Sequence, residues 1–115
     1  MNIKKWVNHE FSSGSYTGDD YIQFQKQMKA DLTQQLKAVG LTLHKFNKNH
    51  YCFSAVVTNG EKFAYVSVGD VRGDNSWVNH TLYRTMKHDN DWTGGVNMYC
   101  KWEQVGERCK ALIGA

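Results

Sequence analysis

The apolar pattern of this chain changes period at Gly40, and that change restricts the fold more than any other feature. Before it, Tyr21, Phe24, Met28, Leu32, Leu36 and Val39 fall three or four residues apart, which places them on one face of an α-helix. Gln23, Lys26, Lys29, Gln34 and Lys37 fall largely outside that face. Thr17 with Asp20 reads as a capping box, and Asp19 and Asp20 suit the positive end of the helix dipole. Gly40 suits the left-handed position that follows a helix.

After Gly40 the chain becomes strand-like. Leu41 to Phe46, His50 to Thr58 and Lys62 to Gly69 are rich in β-branched and aromatic residues, and Thr58-Asn59-Gly60-Glu61 supplies an Asn-Gly hairpin turn between the last two. Tyr51, Phe53, Ala55 and Val57 alternate with His50, Cys52, Ser54 and Val56. That segment is apolar or small at nearly every position, which predicts a strand flanked on both sides. A fourth strand is expected from Asn79 to Lys87. With Asn97 as N-cap, Trp102, Val105, Cys109 and Leu112 resume helical spacing. The expected fold is a single α+β domain over residues 1–115, in the order α-β-β-β-β-α. An antiparallel sheet of about four strands carries the N-terminal and C-terminal helices on one face.

Nothing divides the chain, since it has no Pro and no Ser/Gly-rich or charge-run linker, and 41% hydrophobic residues supply a core without staples. No window approaches the run of about 18 apolar residues that a membrane span needs, and the basic start Met1 to Trp6 has no apolar stretch behind it. Cys52, Cys100 and Cys109 are odd in number and form no CxxC pair, so neither a disulfide framework nor a zinc knuckle is indicated. Reduced thiols in a cytosol fit best. Cys52 reads as a small buried residue in mid-strand, and Cys100 and Cys109 as inert residues of the last helix that face different ways.

Candidate chemistry concentrates in two polar loops, Gly69 to Ser76 and His88 to Gly95. With the adjoining strand ends they hold Asp70, Arg72, Asp74, Asn79, His80, Arg84, His88, Asp89 and Asp91, a set suited to acid/base work if the loops converge. No HExxH, His/Cys quartet or EF-hand pattern appears, and no nuclease-type acidic pair with ExK, so no metal, cofactor or catalytic residue is assigned. Trp6, Trp77 and Trp92 lie in terminal or loop segments, where a Trp either folds back onto the core or stands out as a binding anchor, with the folded-back state the default. Arg72-Gly73-Asp74 and the sequon Asn79-His80-Thr81 have meaning only outside the cell. The repeated Trp-Val-Asn-His at Trp6 and Trp77 has no matching surroundings.

The order of helices and strands is similar to that of double-stranded-RNA-binding domains, whose last helix begins with a lysine cluster that grips phosphates. Here that helix is expected to begin Asn97-Met98-Tyr99-Cys100-Lys101, with one lysine.

A second resemblance rests on Asn49 to Phe53, on Val66 to Arg72, on Arg84-Thr85 and on Asp91-Trp92-Thr93-Gly94-Gly95. From about Thr17 to the last helix the chain looks like small accessory proteins of phages and integrative elements in Gram-positive bacteria. In size, compactness and lack of enzymatic signature it is most similar to anti-CRISPR proteins. The resemblance implies an inhibitor that docks on a CRISPR effector nuclease and blocks its DNA channel or its catalytic domain. Asp70, Asp74, Asp89 and Asp91 would then mimic phosphates, and Arg72, Trp77, Asn79 and Trp92 would complete the contact. The net charge of +3 argues against wholesale DNA mimicry and for a local or allosteric block.

Three expectations follow, in this order: a protein-binding inhibitor; a nucleic-acid-binding accessory domain using Lys4, Lys5, Lys26, Lys29, Lys45 and Lys48; and a small enzyme with His80 or His88 as base. The second gains if the lysines of the first helix share a face with Lys45 and Lys48, because phosphate contacts need a contiguous track. The third gains if His80, Asp70 and Asp91 meet in one pocket with shifted titrations, and the first if neither arrangement appears and Trp77 and Trp92 are exposed.

Overall fold

The computed structural model describes residues 3–7, 9, 11, 19–49, 52–69, 71, 76–87 and 95–114. Helix α1 (Asp19–Ala38) buries Tyr21, Phe24, Gln25, Met28, Leu32 and Leu36, so the three-and-four spacing has become the core face as expected. Asp19 and Asp20 occupy its first turn, while Thr17 of the expected capping box lies outside the described residues. The helix ends as the sequence requires. Gly40 takes φ 81°, its N–H bonds the Lys37 carbonyl at 3.3 Å, and the Leu41 N–H reaches back to the Leu36 carbonyl at 2.8 Å. Leu36 and Leu41 are both buried, which completes a Schellman ending with its apolar clasp.

Five strands follow in simple meander order: β1 (Thr42–Asn49), β2 (Cys52–Thr58), β3 (Phe63–Val68), β4 (Thr81–Met86) and β5 (Met98–Cys100), each antiparallel to its neighbour. The expected α+β fold is present, with β2 flanked by β1 and β3. Strand β1 is irregular between Leu43 and Lys45. The hairpin between β2 and β3 is wider than a two-residue Asn-Gly turn, since Thr58 pairs with Phe63 and four residues close the loop. Asn59 organises it. Its Oδ1 accepts from the N–H of Glu61 at 2.8 Å and of Lys62 at 2.7 Å, and Gly60 takes φ 100°.

The last part of the chain corrects the sequence reading. Asn97 does not cap the final helix. Met98 and Cys100 instead pair with Tyr83 and Thr81 as a fifth strand, a short 3-10 turn follows at Trp102–Gln104, and α2 runs Val105–Ile113. Cys100 therefore belongs to the sheet. Trp102, Val105, Cys109 and Ile113 are buried, whereas Leu112 is only partly so. Cys52 is half-buried at the start of β2 rather than sealed in mid-strand, and its carbonyl accepts a 2.8 Å bond from the Tyr21 hydroxyl.

Phe53, Ala55 and Val57 of β2, Ala64, Val66 and Val68 of β3, Tyr83 of β4 and Cys100 of β5 join the buried faces of α1 and α2 in one cluster. Both helices thus lie on the same side of the sheet. Trp6 and Phe11 close the cluster from the N-terminal side, Trp6 donating from Nε1 to Gln27 Oε1 at 2.9 Å.

A half-buried polar clamp joins the two helices. Asp31 Oδ2 accepts from Trp102 Nε1 at 2.7 Å and from Gln35 Nε2 at 3.0 Å. Gln35 Oε1 accepts from the Gly106 N–H at 3.0 Å, satisfying an otherwise unpaired donor in the first turn of α2. At the other end of α2, Asn59 Nδ2 bonds the carbonyls of Ile113 at 3.0 Å and Gly114 at 3.2 Å. The helices approach closely enough that a Cβ on Gly106 would stand 2.9 Å from Gln35 Cβ and 3.0 Å from its carbonyl oxygen. Gly106→Ala is therefore expected to cost about 1–3 kcal/mol. Asp31→Ala, which strips the acceptor from a fully buried indole N–H, is expected to cost a similar amount, about 1–3 kcal/mol. Each should lower the thermal midpoint by about 5 °C or more, and an Asp31→Ala protein that melts with the parent would refute the clamp.

Candidate nucleic-acid interface

The expected contact residues separate sharply. Asp70, Arg72, Asp74, His88, Asp89, Asp91 and Trp92 lie outside the described residues. Trp77 does not stand out as an anchor: it is 4% exposed, set by a 3-10 turn at Ser76–Val78 and packed edge-to-face on Phe24 at 5.2 Å between ring centroids. A ring of this size recovers far more from burial in an aromatic cluster than from display beside solvent. Buried Thr81 donates to the Trp77 carbonyl at 3.0 Å and closes the turn that leaves Asn79 and His80 exposed at its rim. Among the described residues no three His, Cys, Asp or Glu gather as metal ligands.

The lysines divide by which flank of α1 they meet. Lys29 Nζ lies 5.8 Å over the ring of Phe46, so this flank of α1 faces β1. Lys26, Lys29 and Lys37 are exposed and stand three and eight residues apart, close to whole turns of one helix side. Lys48 is exposed two residues beyond Phe46 on the edge strand and shares its side of the sheet. Lys45, half-buried, pairs in register with Val56 and belongs to the opposite side of the same edge. Lys26, Lys29 and Lys48 therefore do share a face, with Lys45 just around the strand.

Lys5 is elsewhere. Its Nζ sits 4.9 Å from the Trp6 ring, and Trp6 bonds Gln27, which points about 200° around α1 from Lys29. Lys4 belongs to the same N-terminal turn, Ile3–Trp6. The structure removes Lys5 from the expected track and adds Lys37, whose spacing from Lys26 and Lys29 was the signal for it.

Among the described residues carboxylates are few beside this surface, although exposed Asp19 stands about two turns before Lys26 on the same side of α1. No Asp or Glu stands on any of the five strands. On α1, Asp31 is turned to the opposite flank and held by Trp102 and Gln35, and Asp20 Oδ2 meets His9 Nε2 at 2.9 Å near the N-terminus. Lysines on an edge strand also protect a sheet against edge-to-edge pairing, and that need alone would explain Lys45 and Lys48. It does not explain Lys26, Lys29 and Lys37 on the adjacent helix. The surface suits phosphate recognition without metal or covalent chemistry.

Two of the cysteines, Cys100 and Cys109, are sealed against the core. Burial pushes the Cys109 thiol up to about 12, with neighbouring Cys100 adding to the effect. Burial also raises the Cys100 thiol, against a smaller opposing pull from Arg108. These are poor nucleophiles near neutral pH.

The fold is a small α+β domain with both helices on one side of a five-stranded meander. No protein-family model, curated protein or solved structure matches the chain. No helix among the described residues is long and apolar enough to cross a membrane.

The raised Cys109 thiol carries a sign for stability. The folded state keeps this proton where the unfolded chain loses it, so its contribution is complete below the ordinary thiol range near 9.0 and is lost as the pH rises toward about 12. Urea titrations across that window should show stability falling with pH in the parent and falling less steeply in Cys109→Ala. Parallel curves would exclude burial of this thiol.

Proposed function

We propose that this domain binds nucleic acid through the phosphate backbone, along the α1 flank and β1 edge. The observation that carries the reading is the contact of Lys29 with Phe46, which brings the lysine side of α1 onto the edge strand bearing Lys48 and Lys45. A point charge on a flexible stem suits sequence-independent phosphate contact, and four exposed lysines in one track give an anionic ligand several simultaneous partners. The single lysine at the start of the last helix, now Lys101 ahead of the Trp102 turn, supplies no clamp of the double-stranded-RNA-binding type. The inhibitor reading had two aromatic anchors, and the one described, Trp77, is engaged in the core.

Salt dependence tests the proposal. If Lys26, Lys29, Lys37 and Lys48 each neutralise a phosphate, log K against log salt should fall with a slope of about −3 to −4, a loss of roughly fiftyfold or more between about 0.05 and 0.2 M. Lys26→Glu with Lys29→Glu should weaken binding at least about tenfold and flatten that slope. Lys5→Glu with Lys110→Glu, an equal change in net charge away from the track, should have little effect. Equal losses in both pairs would reduce the interaction to net charge. A protein partner that survives nuclease treatment, with no affinity for nucleic acid, would replace this reading with the inhibitor one.

A further inference from the structure

Asn59-Gly60 is the only Asn-Gly pair in the sequence, and the structure gives it a task beyond the hairpin. From the turn between β2 and β3, Asn59 Nδ2 donates to the carbonyls of Ile113 at 3.0 Å and Gly114 at 3.2 Å, where α2 ends. Its Oδ1 accepts from the N–H groups of Glu61 and Lys62. One side-chain amide thus ties the hairpin to the end of a helix 54 residues further along the chain. Gly60 is exposed, takes φ 100° and has nothing within 4 Å of where a Cβ would stand. Its N–H donates to Thr58 Oγ1 at 2.9 Å, and that hydroxyl donates onward to the Lys62 carbonyl at 2.8 Å.

A glycine after an asparagine leaves the following main-chain nitrogen unshielded and free to turn onto the side-chain amide. We propose that Asn59 is a deamidation site held in check by the end of α2. Hydroxide, at mildly alkaline pH, takes the Gly60 amide proton, and the nitrogen left behind attacks Asn59 Cγ to form a new C–N bond. The Cγ–Nδ2 bond then breaks, and the amide nitrogen takes a proton from water and leaves as ammonia. The five-membered imide that remains adds one water molecule at either carbonyl and opens to Asp or isoaspartate. The sum is asparagine plus water giving the acid plus ammonia, with no change of oxidation state.

The contacts of Asn59 favour this reaction at one end and oppose it at the other. The two N–H donors on Oδ1 suit an oxygen that gains negative charge as its carbon is attacked. Nδ2, however, cannot leave until both of its bonds to α2 break, and the Gly60 proton must first leave Thr58 Oγ1. Three bonds that must break outweigh two that strengthen, so the reaction waits on local opening at the end of α2. Once complete, it does not reverse. A carboxylate has no proton to offer the Ile113 and Gly114 carbonyls, and it adds negative charge at the negative end of the helix. Isoaspartate also lengthens the main chain of the turn by one methylene. Deamidation therefore converts a transient opening into a permanent release of α2 from the hairpin.

The test incubates the parent, Ile113→Ala and Phe11→Ala at mildly alkaline pH and follows conversion of Asn59 by mass spectrometry of its peptide. Ile113→Ala loosens the buried end of α2. Phe11→Ala loosens the core at the opposite end of β2, where Tyr21, packed on Phe11, meets the Cys52 carbonyl. Conversion in the folded parent about tenfold or more slower than in the same chain unfolded in guanidinium chloride, sped by Ile113→Ala and not by Phe11→Ala, would support the gate. Equal rates in the folded and unfolded chain, or equal acceleration by both substitutions, would overturn it. Asn59→Asp reads the consequence. Its thermal midpoint should fall by about 3 °C or more, with faster hydrogen exchange at the Gly114 amide, which bonds the Lys110 carbonyl at 2.7 Å. An Asn59→Asp protein that matches the parent in both would overturn the release of α2. Absence of conversion even in guanidinium chloride would overturn the site itself.

Discussion

The indole of Trp102 holds the two halves of this molecule together. It is fully buried at the point where the chain leaves β5 and turns toward α2, and its N–H reaches Asp31 on α1. Its ring meets Phe53 of β2 edge-on at 5.8 Å. One side chain thus fixes the position of α2, the depth of α1 and the far edge of the sheet. Gln35 extends the arrangement by bonding Asp31, the Trp102 carbonyl and the Gly106 N–H together. Asp31 is half-buried, and two donors converge on one of its oxygens. The clamp also decides the outer surface. By taking Asp31 and Gln35 to the α2 side, it leaves Lys29 on the flank that meets β1.

This coupling explains why the fold was more legible in the sequence than the site. The spacing from Tyr21 to Leu36 and the glycine after it define a helix by local rules alone, and local rules suffice for β2 and β3. Strand β5 was not legible, because three residues are too few to show alternation. Met98, Trp102, Val105 and Cys109 meanwhile fit a helical face, so pairing with β4 decided the matter. The wide turn at Asn59 was also set from a distance, since its side chain caps α2 as well as organising the hairpin.

The lysine surface shows the same limit. Which lysines share a face depends on which flank of α1 meets β1, and the aromatic packing of Trp6 and Trp102 on the other flank fixes that. Sequence alone grouped Lys5 with Lys26 and Lys29, whereas cation–π contact and the Trp6–Gln27 bond place Lys5 around the helix. Trp77 followed its default, burial beside Phe24.

The central claim is that anionic ligand follows the α1 flank and β1 edge rather than the loops at the sheet ends. Amide-resolved NMR titration of the protein with oligo(U) tests this most directly. The account predicts graded shifts at Lys26, Lys29, Lys37, Lys45 and Lys48, with Asn79, His80 and Lys5 unmoved. Shifts confined to residues 70–80 and 88–94, or none at all, would contradict it.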